Sequence, residues 1–361
     1  MAAGTGLGYF QNYATIGQAL GWNGLAVTNV DNVNILLELV HQKLMALQHG
    51  APIADDIRVF IKMEPHKLAK IESGTLRLIM VMSLEDQMVD RVLFGTWAEA
   101  ERDFFSIPGK TGWVPIPYGY RYFNSVFAGS VLATDCSAFD WTFPEWVATS
   151  LLEMRLSMVR GPSDEYVAMA TNRWAQVLRY AVIRLPTGER FQQRFWGLMK
   201  SGWYRTIAEN SSAQVLINLL AWKRAGFAGE LPTMWSMGDD VILDWSAEEN
   251  VQEFERALSS TGILVKQSLR DREFGGFRFG TNTVTPLYHN KHDYALRFVP
   301  MTLRSDVATS FVLLYALADS SYTEVVRTHI EPHADISSLI AKQWACGSLK
   351  LDTLVTAFPS V

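Results

Sequence analysis

Cysteine is nearly missing from this chain, with only Cys136 and Cys346 among 361 residues. Two cysteines cannot build a disulfide framework or a Cys-rich zinc site, and they suit a reducing compartment. The seven histidines add no metal-ligand spacing. The opening stretch MAAGTGLGYFQNYATIG has neither a basic start nor an apolar run, so it does not read as a signal peptide. No apolar stretch reaches the roughly 20 residues of a membrane span. Internal repeats and low-complexity tracts are lacking too. So is a positive charge balance. A net charge of −5 argues against phosphate binding by an evenly charged surface, but leaves room for a local basic strip.

What is present is a globular composition, 48% hydrophobic and 19% charged, in a chain long enough for two or three subdomains. Most of the twelve Trp and nineteen Phe are expected in the core. Periodicity predicts a helix over 31–50, a strand starting at 58, a strand over 75–83 and a long helix over 84–105. The Pro/Gly-rich segment 107–120 reads as loop. A strand follows over 129–135, and then a helix with Pro144 as its first residue, stopping at Gly161. A further helix over 205–225 ends at Gly226, and MWSMGDDVILDW (234–245) forms a hairpin. Ser246 and Glu249 suggest a capping box for the next helix. ILVKQS is another strand, EFGGFRFG with TNTVTPLYH is a last hairpin, and 290–361 is mostly helical. The sum is an α+β sheet with helices on one face.

The hairpin sets the chemical question. Asp239 and Asp240 sit side by side between apolar strands. Neighbouring carboxylates taken out of water repel each other and call for compensation. Asp135 ends another strand, and Asp140 follows five residues on. With strands 129–135 and 233–238 side by side, Asp135, Asp239 and Asp240 would converge at one sheet edge. Three carboxylates with open water positions suit Mg²⁺, and two such ions are the machinery of nucleotidyl transfer. A Gly-Asp-Asp turn alone is common in solvated loops, so the apolar flanks carry the argument.

Two other segments stand out. In SGWYRTIAEN, Ser201 and Gly202 precede a helix on which Thr206 and Asn210 share a face. Hydroxyl and amide groups so placed could read a sugar edge, or could simply be a cap and a solvated face. IKMEPHKLAKIESGTLRLI holds Lys62, Lys67, Lys70 and Arg77 against Glu64 and Glu72. It could grip a triphosphate, or be a solvated loop. His66 lies in the same strip, and Cys136 beside Asp135 reads as packing.

In this order the segments resemble the motifs of viral RNA-dependent RNA polymerases. IKMEPHK…TLRLI is similar to the basic fingertip motif, DCSAFD to the first palm motif, SGWYRTIAEN to the second and MGDD to the third. Lys266 falls where the fourth motif has its lysine, and EFGGFRF resembles the primer-gripping hairpin, with Phe277 and Arg278 at its centre. The stretch from FIKMEPHK to DRVLF looks most like the sobemovirus and polerovirus relatives, a solemovirus-like group. The resemblance covers about residues 1–290.

The resemblance implies a right-hand polymerase fold with fingers, a palm of antiparallel sheet backed by helices, and a small helical thumb. Residues 1–128 would be fingers, with the fingertip motif at 58–79. Residues 129–145 would be the first palm strand, 146–199 a helical insertion, 200–289 the rest of the palm and 290–361 the thumb. It further implies that Asp135 and Asp239 bind two Mg²⁺ ions, replaceable by Mn²⁺, with Asp240 assisting near the primer 3′ hydroxyl. Asp140 and Asn210 would recognise the ribose 2′ hydroxyl, supported by Ser201, Gly202 and Thr206. Lys62, Lys67, Lys70 and Arg77 would contact the triphosphate, and Lys266 would protonate the departing pyrophosphate. The implied partners are an RNA template with its nascent strand, nucleoside triphosphates, a genome-linked protein primer and other products of a viral polyprotein. The implied setting is a membrane-associated replication complex in the host cytoplasm.

Two departures qualify this picture. The family's Ser-Pro-Gly-type template motif is replaced by GTGLGYF, which has no Pro. No protease or genome-linked protein precedes the polymerase motifs, so a fragment or processed product is expected. Three rivals share some features. A reverse transcriptase shares the palm but has no need to select a 2′ hydroxyl. An inactive RNA-binding relative would not need every motif acid. A metal-dependent phosphohydrolase has no use for the Ser-Gly-Thr-Asn segment.

Overall fold

The computed structural model describes residues 4–245 and 249–349. Helices α1 (Ile16–Leu20) and α2 (Val30–Gln48) lead into β1 (Ile57–Ile61), the short α3 (Leu68–Glu72) and β2 (Leu78–Val81). Then come α4 (Leu84–Ala100), α5 (Gly119–Val126), β3 (Val131–Cys136), α6 (Glu145–Ser157) and α7 (Asp164–Leu178). Strands β4 (Val182–Arg184) and β5 (Arg190–Gln192) precede α8 (Thr206–Arg224). The hairpin β6 (Met234–Met237) and β7 (Asp240–Asp244) is followed by α9 (Val251–Ser259) and β8 (Val265–Leu269). Three short strands follow, β9 (Glu273–Phe274), β10 (Phe277–Phe279) and β11 (Val284–Pro286). The described chain ends in helices α10 (His289–Arg297), α11 (Arg304–Leu314), α12 (Tyr322–Val325) and α13 (Ser338–Ala345).

The fold is α+β, with a central antiparallel sheet in the order β6-β7-β3-β8. The expected neighbour of β3 was β6, but β7 lies between them. Burial explains the order. Val241, Ile242 and Leu243 of β7 are all fully buried, so this strand has apolar side chains for both faces and takes an interior place. One face of the sheet meets helices, as expected. Leu132, Val241 and Leu243 join Val147 and Leu151 of α6, Ile217 of α8 and Phe254 of α9. The other face is not open. Val131, Trp235 and Ile242 are covered by Phe123 and Phe127 around α5 and by Phe274 and Phe279 of the small sheet. Phe123 stacks on Phe279 with centroids 4.1 Å apart. Each such aromatic pair adds about 0.5–1.5 kcal/mol beyond its buried area.

A second sheet, β2-β1-β4-β5, carries the basic strip between its first two strands. Beneath it, the buried Arg173 of α7 makes a bidentate pair with the buried Asp90 of α4, at 2.7 and 3.0 Å.

Several boundaries differ from the periodic reading. Helix α4 stops at Ala100 rather than 105, because Glu101 turns to pair with Arg155 and Arg205. Pro144 is the cap of α6, not its first residue, since its ψ of 148° is extended. That helix also ends at Ser157, short of Gly161. Ser246 lies outside the described residues. Helix α9 is capped instead by Asn250, whose side chain accepts from the Glu253 N–H at 3.2 Å. No helix among the described residues is long and apolar enough to cross a membrane.

Candidate active site

The acids meet where β3, the β6–β7 turn and α8 come together. Gly238 and Asp239 form a two-residue turn between the paired Met237 and Asp240, with Gly238 at φ +65°. Such positive φ at the first turn position suits a tight hairpin and favours glycine. The turn is tied to α8 from behind. Ser211 Oγ accepts from the Gly238 N–H at 2.9 Å, and Gln214 Nε2 donates to the Asp239 carbonyl at 3.3 Å. Asp135 lies next to the turn on β3, where the pairing with β8 shifts register between Asp135 and Cys136. An irregularity of this kind re-aims side chains. Here Asp135 forms an ion pair with Lys266 of β8.

The electrostatics show a shortage of positive charge. Burial pushes the Asp240 carboxyl up to about 6, and the negative charges of Asp239 and Asp135 add to the effect. Asp239 reaches solvent at the turn, yet neighbouring atoms strip enough water to raise its pKa, with Asp135 adding repulsion. Lys266 is held above its ordinary range by its hydrogen bond to Asp135, so it remains a charged donor. Burial raises Asp140 as well. The charge of Arg77 works against the rise at both Asp140 and Asp239. Cys136 is pushed by burial to about 11, an inert packing thiol. Among the described residues, no group of three or more Asp, Glu, His or Cys stands close enough to hold a metal ion as the side chains lie. Asp135 is instead taken up by its ion pair with Lys266.

The structure joins Asp140 and Asn210 directly. Asn210 Nδ2 donates to Asp140 Oδ1 at 2.8 Å, while Asn210 Oδ1 is buried with no partner. The loop before α8 is pinned around this pair. The Met199 N–H donates to the Asp140 carbonyl at 2.7 Å. Ser201 Oγ accepts from the Met80 N–H at 3.1 Å, and Gly202 lies so close to the Met80 carbonyl that no Cβ fits. The Thr206 hydroxyl donates to the Lys200 carbonyl rather than pointing outward.

The basic strip divides. Lys62 and Arg77 flank Glu64, at 3.0 and 3.6 Å, and Arg77 is near enough to influence the aspartates. Lys67 and Lys70 are exposed at the start and middle of α3, with no ion pair among the described residues. His66 Nε2 contacts the Lys62 carbonyl at 3.1 Å. In the small sheet, Gly275 and Gly276 both have positive φ, +60° and +82°, as a two-residue hairpin turn requires. Phe277 lines a cavity of about 290 Å³ with Asp240 and Tyr288. Arg278 turns instead to Glu273, at 3.0 Å.

Sequence reasoning missed Ser211 and Gln214, although Gln214 lies one helical turn beyond Asn210 on the same face. It also missed Lys200. This side chain is fully buried, and its ammonium donates to Gln193 Oε1 and to the Leu198 carbonyl at 2.6 Å. Gln193 in turn donates to the carbonyls of Leu178, Phe195 and Gly197, so the two residues hold the loop together. Burial lowers the Lys200 pKa to about 7. An unfolded lysine titrates near 10.4. The unfolded chain therefore binds more protons between those values, and stability rises with pH across that window. We expect wild type to gain stability relative to Lys200→Met from pH 7 to 10, followed by urea denaturation. A constant difference across that range would show a lysine with an ordinary pKa.

A family profile for viral RNA-directed RNA polymerase matches residues 31–113 and 133–272, well over half of the chain. It spans the fingertip strip, all four acids, the Ser-Gly-Thr-Asn segment and Lys266. The RNA-directed RNA polymerase of Mushroom bacilliform virus is 32% identical over 241 residues, 64% of this chain and 56% of that protein. Replicase polyprotein P2AB of Cocksfoot mottle virus is 32% identical over 228 residues, covering 60% of this chain and 22% of the polyprotein. Protein P1-P2 of Potato leafroll virus is 28% identical over 263 residues, 68% of this chain and 23% of that protein. The chain thus spans about half the length of the first relative and under a quarter of the other two. Since the profile covers every segment that builds the cluster of acids, the chain belongs to the viral RNA-directed RNA polymerase family, in the sobemovirus- and polerovirus-related group.

Proposed function

We propose that this chain copies the genome of a positive-strand RNA virus as an RNA-dependent RNA polymerase. The observation that carries the reading is the meeting of Asp135, Asp239 and Asp240 with the Asp140–Asn210 pair at one end of the central sheet. We read that sheet with α6, α8 and α9 as the palm, the β1–β2 region as part of the fingers, and α10–α13 as the thumb.

The donor set fits divalent cations. Asp239 and Asp240 are carboxylates raised by burial and by repulsion, a state that a bound cation relieves. Asp135 would complete the set on exchanging Lys266. Two Mg²⁺ ions bound there would supply activation of the primer hydroxyl and charge neutralisation on the pyrophosphate. The chain's own residues do the rest. Arg77 and Lys62 present positive charge to the triphosphate, and Glu64 orients both. Once free of Asp135, Lys266 offers a proton to the leaving group. The Asp140–Asn210 pair would present hydrogen-bonding groups to the ribose, and Asn210 Oδ1, buried and without a partner, would accept a 2′ hydroxyl once the amide turns toward the nucleotide.

That last feature favours RNA over DNA synthesis and so disfavours the reverse transcriptase reading. Replacing Asn210 by Ala should lower the preference for ribo- over deoxyribonucleotides by about tenfold or more, the worth of roughly 1.4 kcal/mol. Competition between UTP and dUTP in single-nucleotide extension measures it. Unchanged discrimination would remove Asn210 from sugar recognition.

A further inference from the structure

We propose that a cavity behind α8 binds an uncharged, largely apolar small molecule, and that its occupancy controls the Gly238–Asp239 turn. The cavity measures about 660 Å³ and lies between the ends of α4 and α6, the loop at 107–111 and the face of α8 opposite Asn210. Its walls include Trp97, Met154, Val159, Pro108, Val215 and Leu216. This is the size and lining of sites that take drug-sized ligands.

The charges in the wall decide the ligand class. Glu101 and Arg155 line the cavity, and they pair with each other and with the buried Arg205 and Glu209. Two acids and two bases neutralise one another, so a charged ligand would lose its water without gaining a free partner inside. The remaining charged group, Arg160, is exposed to solvent. The remaining polar side chains of the wall are neutral, Thr96, Thr111 and Ser212 among them. Ser212 Oγ accepts from Arg155 Nη2 at 2.8 Å, and its own hydrogen has no acceptor among the described residues. A ligand with a single carbonyl or ether oxygen suits that hydroxyl.

Two walls of the cavity grip the same residue of β6. From α8, the Ser211 carbonyl accepts the Ser236 hydroxyl at 2.8 Å, while Ser211 Oγ holds the Gly238 N–H. From the loop, the Pro108 carbonyl accepts the Ser236 N–H at 3.1 Å, and the Lys110 N–H donates to the Ser236 carbonyl at 2.8 Å. Pro108, Gly109 and Ser211 all line the cavity. A molecule that spreads α8 from the loop must therefore pull on Ser236, three residues before Asp239. The binding claim stands alone, whereas the control claim rests on the polymerase reading.

Benzophenone serves as the probe, being neutral, apolar and equipped with one carbonyl that crosslinks to nearby C–H bonds on irradiation. Saturable labelling of Met154 is expected, mapped by mass spectrometry of the whole chain. Benzophenone should also slow RNA extension without raising the KM for nucleotide. Met158 is an exposed residue at the cavity rim. Met158→Trp, which narrows the mouth, should cut Met154 labelling at least tenfold and relieve the inhibition. Labelling that never saturates, or that persists in Met158→Trp, overturns the site. Saturable labelling with unchanged extension overturns the control. A chain that extends no primer in any condition removes the claim that it works alone as a polymerase, and the control claim with it; the labelling then judges the site by itself.

Discussion

The Asp239→Ala variant should lose primer extension, by about 10³-fold or more, the equivalent of at least roughly 4 kcal/mol of transition-state stabilisation. Asp239 stands at the tip of the β6–β7 turn, where its carboxylate is raised by burial and by Asp135, against a backbone hydrogen bond and the charges of Arg77 and Lys266. Removing a repelled carboxylate from a turn relieves strain in the folded chain, so the variant should melt no lower than wild type. The loss would then be chemical. A short primed RNA template with Mg²⁺ or Mn²⁺ provides the assay, with thermal melting alongside. Full extension by the variant would sink the assignment of the metal site. Extension by neither protein would leave the family and fold standing and remove the claim that this chain works alone.

The second large effect is on stability. Replacing Arg173 by Met should cost about 3–5 kcal/mol, because it leaves the buried Asp90 carboxylate without its partner. Both ends of that pair are essentially inaccessible, and the pairing is bidentate. Burial already raises the Asp90 carboxyl, and the guanidinium of Arg173 is the main influence that opposes the rise, with Trp203 a smaller one. Asp86, the other acid near Arg173, keeps Lys43 at 3.0 Å and so is not orphaned. Urea denaturation should show a lower midpoint for Arg173→Met, and Arg173→Met with Asp90→Leu should recover much of the loss. A single variant as stable as wild type would mean that water or a neighbour satisfies Asp90.

The site was easier to read from sequence than its support. Asp140 and Asn210 gained meaning only from the order of motifs in the resemblance, and folding brings them into contact, whereas Asp135 and Asp239 stand out because polar groups interrupt apolar runs. The central hairpin and the helix over 206–224 were legible for the same reason. Strand order was not, because a two-residue turn says which strands are joined and not which of them finds β3; the continuous burial of Val241–Leu243 decides that. Within 162–200 periodicity placed no individual element, although the resemblance implied a helical insertion over 146–199. Helix α7 hides its period by burying Arg173 and Gln176 among its apolar positions, and β4 and β5 are three residues each. The roles of Ser211, Lys200 and Gln193 depend on contacts with distant backbone, which no local pattern encodes.

Met80 is held on both sides by one loop, with its N–H on Ser201 Oγ and its carbonyl against Gly202. Strand β2 and the loop before α8 are thereby fastened at a single residue, close to Arg77 on one side and Asn210 on the other. On the proposed polymerase reading, a nucleotide would meet its phosphate and sugar contacts as one preassembled jaw, and a mutation at Met80 would disturb both together. The positive-φ glycines at 238, 275 and 276 lie outside that jaw, beside Asp240.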